Sequence, residues 1–158
     1  IRNHYVGRTF IMPENIQRQD SVDLKLAVVP GAVRGKRVVV VDDSLVRGNT
    51  SHRRIKALRQ SGAKEIHMRI SCPPTRHPCH FGIDFPTREE LIASNRSWEE
   101  VEEYIGADSL GYISLEGLLS AVEQPADYCT GCFSGEYPLK VEHGQTKFAL
   151  ENPQAARV

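Results

Sequence analysis

The sequence is short of several features, and each shortage excludes a class of function. No apolar run approaches the roughly 20 residues of a membrane-spanning helix, and mean hydropathy is -0.38. A membrane partner is therefore not expected. No basic segment followed by an apolar stretch reads as a secretory leader, so a cytoplasmic location is expected. Neither sign of charge is in excess, with Lys+Arg 20 against Asp+Glu 20. A uniformly basic nucleic-acid surface would carry a pI above roughly 9, whereas the sequence pI is about 7.2. Nucleic acid is thus not an expected partner. The patterns G-x-x-x-x-G-K-S/T and G-x-G-x-x-G are both missing, which removes two common phosphate-binding loops. Internal repeats and low-complexity tracts are missing too.

What is present fits one globular unit. The 158 residues are 40% hydrophobic and 25% charged, ordinary values for a soluble domain. The chain opens on Ile1, and the next residues read as the interior of an element. A fragment of a longer protein is therefore expected. The zero net charge also conceals a split. Residues 1–60 hold twelve Lys/Arg and five Asp/Glu, a net of +7; residues 61–158 hold eight and fifteen, a net of -7. An anionic ligand near the first third is the expected consequence.

The most informative stretch is 35–72. Val38-Val-Val-Val41 is an unbroken β-branched run, read as a parallel strand buried on both faces. Asp42-Asp43 ends it, and a polar loop from Ser44 to Thr50 follows. Ala57, Ile55 and Leu58 mark the apolar side of a helix over about 51–61, with Gly62 at its C-terminal stop. Ile66, Met68 and Ile70 alternate with His67 and Arg69, predicting a second strand over 65–71. Strand, loop, helix and strand make a βαβ unit with a parallel sheet. Thr87-Arg-Glu-Glu90 and Ser97-Trp-Glu-Glu100 both fit capping boxes. The second precedes a helix that Gly106 ends. Leu110 to Ile113 reads as a short strand. Ser114 caps a helix over about 115–123, with Pro125 just past it. From 126 on, periodicity is weak.

The loop chemistry follows from position. Asp42 and Asp43 lie at the carboxyl end of a strand, the edge where open α/β sheets bind ligands. Paired carboxylates there accept hydrogen bonds from sugar hydroxyls and help hold Mg²⁺. The loop ends at a helix N-terminus, whose N–H groups and dipole favour phosphate. Gly48 permits close backbone approach, Thr50 and Ser51 offer hydroxyls, and Arg47 adds charge. A sugar bearing a terminal phosphate would span both halves. The bland alternative is a turn and a helix cap. The flanking Val38–Val41 and Arg47-Gly-Asn-Thr50 favour the ligand site.

Residues 38–50 resemble the phosphoribosyl pyrophosphate (PRPP) signature of type I phosphoribosyltransferases. That resemblance implies an α/β fold, a partial Rossmann-like parallel sheet with flanking helices. It places Asp42 and Asp43 beside the ribose hydroxyls and Mg²⁺. Ser44, Arg47, Gly48, Asn49 and Thr50 then hold the 5′-phosphate. Asn49 departs from the Thr or Ser more usual there.

The segment Arg2-Asn-His-Tyr-Val-Gly-Arg-Thr-Phe-Ile-Met-Pro13 narrows the likeness. It resembles the flexible catalytic loop of the glutamine amidophosphoribosyltransferases. Ser21-Val22 to Lys25-Leu26, Gly82-Ile83-Asp84 through Ala93, Ile105 to Asp108 and Gly135 to Pro138 extend the match over about 1–140. The resemblance implies displacement at the anomeric carbon of PRPP by ammonia, giving 5-phosphoribosylamine at the start of purine synthesis. Glutamine would supply the ammonia in a separate glutaminase domain. Arg2 stands where a basic residue is usual, Arg8 is a second cation for departing pyrophosphate, and Tyr5 is a loop or channel group. Asp23 departs from a basic residue common there. Purine nucleotides as feedback inhibitors and a homo-oligomer are inherited expectations. The implied division is 1–125, the phosphoribosyltransferase part, with 1–13 as flexible loop and 38–50 as PRPP loop. An irregular cysteine-bearing tail occupies 126–158.

Four cysteines complete the reading: Cys72, Cys79, Cys129 and Cys132. Without a leader, a metal or redox role is favoured over disulfides. Spacing alone leaves zinc and an iron–sulfur cluster open. The resemblance implies a 4Fe–4S cluster on Cys79, Cys129 and Cys132, with a fourth ligand upstream of Ile1. Cys72 is left as a packed thiol and as the substitute fourth ligand should the chain not be a fragment. His77, His80 and His143 are read as surface or turn residues.

Overall fold

The computed structural model describes residues 27–83 and 87–140. Arg2, Tyr5, Arg8, Asp23, Asp84 and His143 lie outside the described residues.

A short helix α1 (Pro30–Val33) leads into β1 (Arg37–Asp42), helix α2 (Asn49–Gln60) and β2 (Glu65–Ile70). After a loop come a 3-10 turn (Arg88–Glu90), α3 (Ile92–Asn95), α4 (Trp98–Ile105) and β3 (Ser109–Tyr112). Helix α5 (Leu115–Leu119), a 3-10 turn (Pro125–Asp127) and α6 (Gly131–Ser134) follow. The three strands form one parallel sheet in the order β1-β2-β3. Val38 pairs with Ile66 and Val40 with Met68, while Met68 pairs with Leu110.

The βαβ prediction holds, and burial explains it. Ile66, Met68 and Ile70 on β2 and Leu110 on β3 are buried with Ile55 and Leu58 of α2 and Val101 and Ile105 of α4. Both helices cover the same face of the sheet, so its interior side is the apolar one. The opposite face corrects the expectation for 38–41. Val39 is 62% exposed and Val41 70%. Parallel sheets are usually covered on both sides, but no described residue packs over this side of β1. The strand alternates instead of being buried throughout.

Local boundaries shift for identifiable reasons. Helix α2 starts at Asn49, ahead of the expected 51, because Gly48 adopts φ +80 and turns the chain directly into the helix. Gly62, with φ +90, follows Ser61 and donates its N–H to the Arg59 carbonyl, as a C-terminal stop requires. Ser97 and Glu100 form the full capping box, and Gly106 ends α4 left-handed. The Thr87 box does not form: Thr87 makes no side-chain cap and only a 3-10 turn follows. Leu91 is extended and buried there, and the Ile92 N–H reaches back to the Val46 carbonyl. Packing of Leu91 and Ile92 under the loop outweighs continued helix. Ser114 caps α5 as predicted, but the helix ends at Leu119.

Candidate functional site

The site lies where β1 ends. Ser71, past the end of β2, donates its N–H to the Asp42 carbonyl and continues the sheet edge. The two carboxylates then diverge. Asp42 Oδ2 accepts from Arg54 Nη1 at 2.6 Å, both side chains one-quarter exposed. Asp43 is exposed, and its Oδ1 accepts from the Ser44 N–H at 2.8 Å. Arg54 lies in the second turn of α2 and pairs across twelve positions, which no local pattern signals.

The loop after the acidic pair is anchored at both ends. Leu45 is 2% exposed and plugs the core. The Val46 carbonyl holds the Ile92 N–H at 2.9 Å. Arg47 turns its guanidinium to Glu90 at 3.1 Å. Gly48 is buried, and a Cβ there would meet Ile92 Cδ1 at 2.7 Å and Tyr104 Cε1 at 3.0 Å. The N-terminus of α2 has no side-chain cap and no acidic residue in its first turn. Its first N–H groups and its dipole are therefore free to receive an anion. Asn49 and Thr50 are exposed at this end, while Ser51 is buried. Tyr104 OH donates to Asn49 Oδ1 at 2.7 Å. Arg54 and Tyr104 are the two residues at the site that sequence patterning missed.

The cysteines approach one another from two segments. The Arg76 and His77 N–H groups both donate to the Cys132 carbonyl, and Tyr137 OH donates to the Pro78 carbonyl at 2.6 Å. The Cys79 segment and the Cys129–Cys132 turn are thus tied together. Burial raises the Cys132 thiol, with the charges of Cys79 and Cys129 adding to it. Burial, then the charge of Asp43, pushes the Cys72 thiol up to about 11. Among the described residues no three His, Cys, Asp or Glu side chains are already gathered as a metal site. His80 stacks edge-on against Tyr137 at 4.9 Å. Burial, then Arg88 and Arg76, lowers His77. No helix among the described residues is long and apolar enough to cross a membrane.

Parallel strands with flanking helices, and an acidic pair running into a phosphate-type loop, define a type I phosphoribosyltransferase fold. The solved structure of glutamine PRPP amidotransferase from Bacillus subtilis, complexed with ADP and GMP, superposes with TM-score 0.76 at 49% identity. The match covers 92% of this chain and 33% of that one. The chain is similar in sequence to the amidophosphoribosyltransferases: 52% identical over 141 residues to that of Methanocaldococcus jannaschii, covering 89% of this chain and 30% of the relative. It is 51% identical over 146 residues to that of Bacillus subtilis, covering 89% and 31%. The chain spans about a third of the length of the curated relatives it matches. No protein-family model matches it.

Proposed function

We propose that this chain forms the phosphoribosyl-transferring part of an amidophosphoribosyltransferase. The activity is transfer of a phosphoribosyl group from PRPP to glutamine-derived ammonia, giving 5-phosphoribosylamine at the first step of purine biosynthesis. One observation carries the reading. Carboxylates at the end of β1 run through a glycine-bearing loop into the uncapped N-terminus of a twelve-residue helix, in a sequence about half identical to amidophosphoribosyltransferases.

The residues divide the work by chemistry. The N–H groups of the first turn of α2 hold the 5′-phosphate, with Ser44, Gly48, Asn49 and Thr50 around it. Asp42 and Asp43 accept from the ribose hydroxyls. Arg47, exposed and paired only at the surface with Glu90, is within the same loop and adds positive potential. Arg2 and Arg8, outside the described residues, are the proposed cations for departing pyrophosphate, with Tyr5 as a loop or channel group. Holding the anomeric carbon in position and stabilising the leaving charge account for the catalysis.

Two groups fit the donor sets. The exposed Asp43 carboxylate offers the hard oxygens that Mg²⁺ takes. When bound, Mg²⁺ spreads the negative charge of the pyrophosphate. The hydrogen bonds between the Cys79 and Cys132 segments bring soft thiol donors near each other. Cys79, Cys129 and Cys132 are proposed ligands of a 4Fe–4S cluster, with the fourth from upstream of Ile1. Ligation by these three would link the Cys129–Cys132 turn to the Cys79 segment. Purine nucleotides as inhibitors, a homo-oligomer and a cytoplasmic location belong to the same proposal. The nucleotide part is supported by the ADP and GMP in the Bacillus subtilis complex.

The deciding experiment is PRPP titration, with Mg²⁺, of the full-length protein carrying Asp42→Asn and Asp43→Asn together. Affinity should fall by at least about a hundredfold, some 2.7 kcal/mol, while bound iron is unchanged. Unaltered PRPP affinity in the double variant would sink the reading.

A further inference from the structure

Tyr104 reaches from α4 to the phosphate end of α2 and touches it at several points. Its hydroxyl donates to Asn49 Oδ1 at 2.7 Å. Its backbone carbonyl accepts from His52 Nδ1, also at 2.7 Å. Its ring closes the space beside Gly48. Arg96 lies over that ring, 4.3 Å from the centroid. The tyrosine is therefore held in place by its ring, its hydroxyl and its main chain.

Asn49 is the first residue of α2 and is exposed. An asparagine side chain carries an acceptor oxygen and a donor nitrogen on opposite sides of one planar group. Presented oxygen-first to an anion at a helix N-terminus, it would repel the ligand. Presented nitrogen-first, it adds two N–H donors to those of the backbone. In the structure the Tyr104 hydroxyl donates to Oδ1, an arrangement that turns Nδ2 to the side away from Tyr104. A serine or threonine here would need no such control, since a hydroxyl rotates to suit its partner.

We propose that Tyr104 is a positioning residue for phosphate binding, acting through Asn49. It holds the carboxamide oxygen so that the Asn49 Nδ2 donates to the phosphate seated at the start of α2. The inference rests on the reading of that loop as the 5′-phosphate site, and it deepens that reading by assigning specificity to a residue on a separate helix.

The experiment is a double-mutant cycle in the full-length protein, with PRPP as the probe. Tyr104→Phe keeps the ring against Gly48 and under Arg96 while removing only the hydroxyl. It should raise the KM and Kd for PRPP about tenfold and change kcat less than threefold, with an unchanged melting temperature. In an Asn49→Thr background, the same Tyr104→Phe change should alter Kd less than about twofold. Unaltered PRPP affinity in Tyr104→Phe overturns the proposal. So does an equal loss in the Asn49→Thr background, which would make Tyr104 a packing residue. The Asp42→Asn, Asp43→Asn variant separates the two levels. If it loses PRPP while Tyr104→Phe does not, the positioning role alone fails. If the wild-type protein binds no PRPP, both fail.

Discussion

Arg54 on α2 and Asp42 at the end of β1 meet at 2.6 Å, each one-quarter exposed. The pair links the strand to the helix that it feeds, so the loop between them is closed at its base as well as at Ile92. It also gives the two neighbouring acids different surroundings. Asp42 faces a fixed cation, whereas Asp43 faces solvent.

Removing the cation from this pair leaves a half-buried carboxylate without its partner. Arg54 Nε is already buried and unpartnered among the described residues, so the guanidinium itself is not fully satisfied. Arg54→Met should therefore lower stability by about 1–3 kcal/mol, the range for leaving a partly buried acceptor without its partner. Urea unfolding would read this as a lower midpoint at constant slope. A midpoint equal to wild type would show that the pair contributes only geometry.

Gly48 and Gly35 separate space from backbone strain. Both have positive φ, +80 and +71. A Cβ at Gly35 meets nothing within 4 Å, whereas one at Gly48 meets Ile92 and Tyr104. Gly35→Ala should cost about 1–2 kcal/mol for the left-handed conformation alone. Gly48→Ala should add overpacking of about 1–3 kcal/mol and weaken PRPP binding. Thermal unfolding of the two variants side by side checks the difference.

Asp108 joins β2 to β3. Its Oδ2 accepts from the N–H of Ile66 at 2.6 Å and from Arg59 at 2.9 Å. The Ile66 hydrogen bond holds its carboxyl below the ordinary 3.8; burial opposes this, and Arg59 and then His67 add to the lowering. A lowered carboxyl stabilises the fold above its unfolded value and loses that contribution as pH falls through the folded one. The stability advantage of wild type over Asp108→Asn should therefore be full at pH 7 and shrink below about pH 4. Asp108→Ala orphans the Ile66 N–H and should cost about 1–3 kcal/mol. Melting temperatures measured across pH 2.5 to 7 would show both, and a pH-independent gap between wild type and Asp108→Asn would contradict the assignment.

Cys72 should be an inert thiol. Its value of about 11 against an ordinary 9.0 leaves about a hundredfold less thiolate at pH 8. Alkylation at Cys72 should be slower than in the unfolded chain by that factor, followed by peptide mass spectrometry. Because the Asp43 charge is the second cause of the rise, Asp43→Asn should speed the labelling. The sign for stability is also set. The unfolded thiol ionises first, so this residue's contribution is intact below pH 9 and lost as pH rises toward 11.

Much of the fold was legible in the sequence because its signals are local. The period-2 alternation of Ile66, Met68 and Ile70 marks a strand whatever surrounds it. Ser97 with Glu100, and Gly106, form their caps within a single turn of α4. Gly48, between the acidic pair and Asn49, is likewise readable, since only glycine takes φ +80 without strain. The same local logic failed at Thr87, where the capping pattern is present and the helix is not. Burial of Leu91 and the Ile92–Val46 bond lie outside that four-residue window.

Legible along the chain are the βαβ order, the place of Asp42 and Asp43 at a strand end, and the glycine that turns the loop into α2. Each depends on chain neighbours a few residues apart. Only the tertiary structure decided that Val39 and Val41 are exposed among the described residues, that Arg54 takes Asp42, and that Tyr104 takes Asn49. Those outcomes join residues twelve and fifty-five positions apart, or depend on which sheet face the helices cover. Contacts between distant positions are set by how the elements pack, and no periodicity along the chain encodes them.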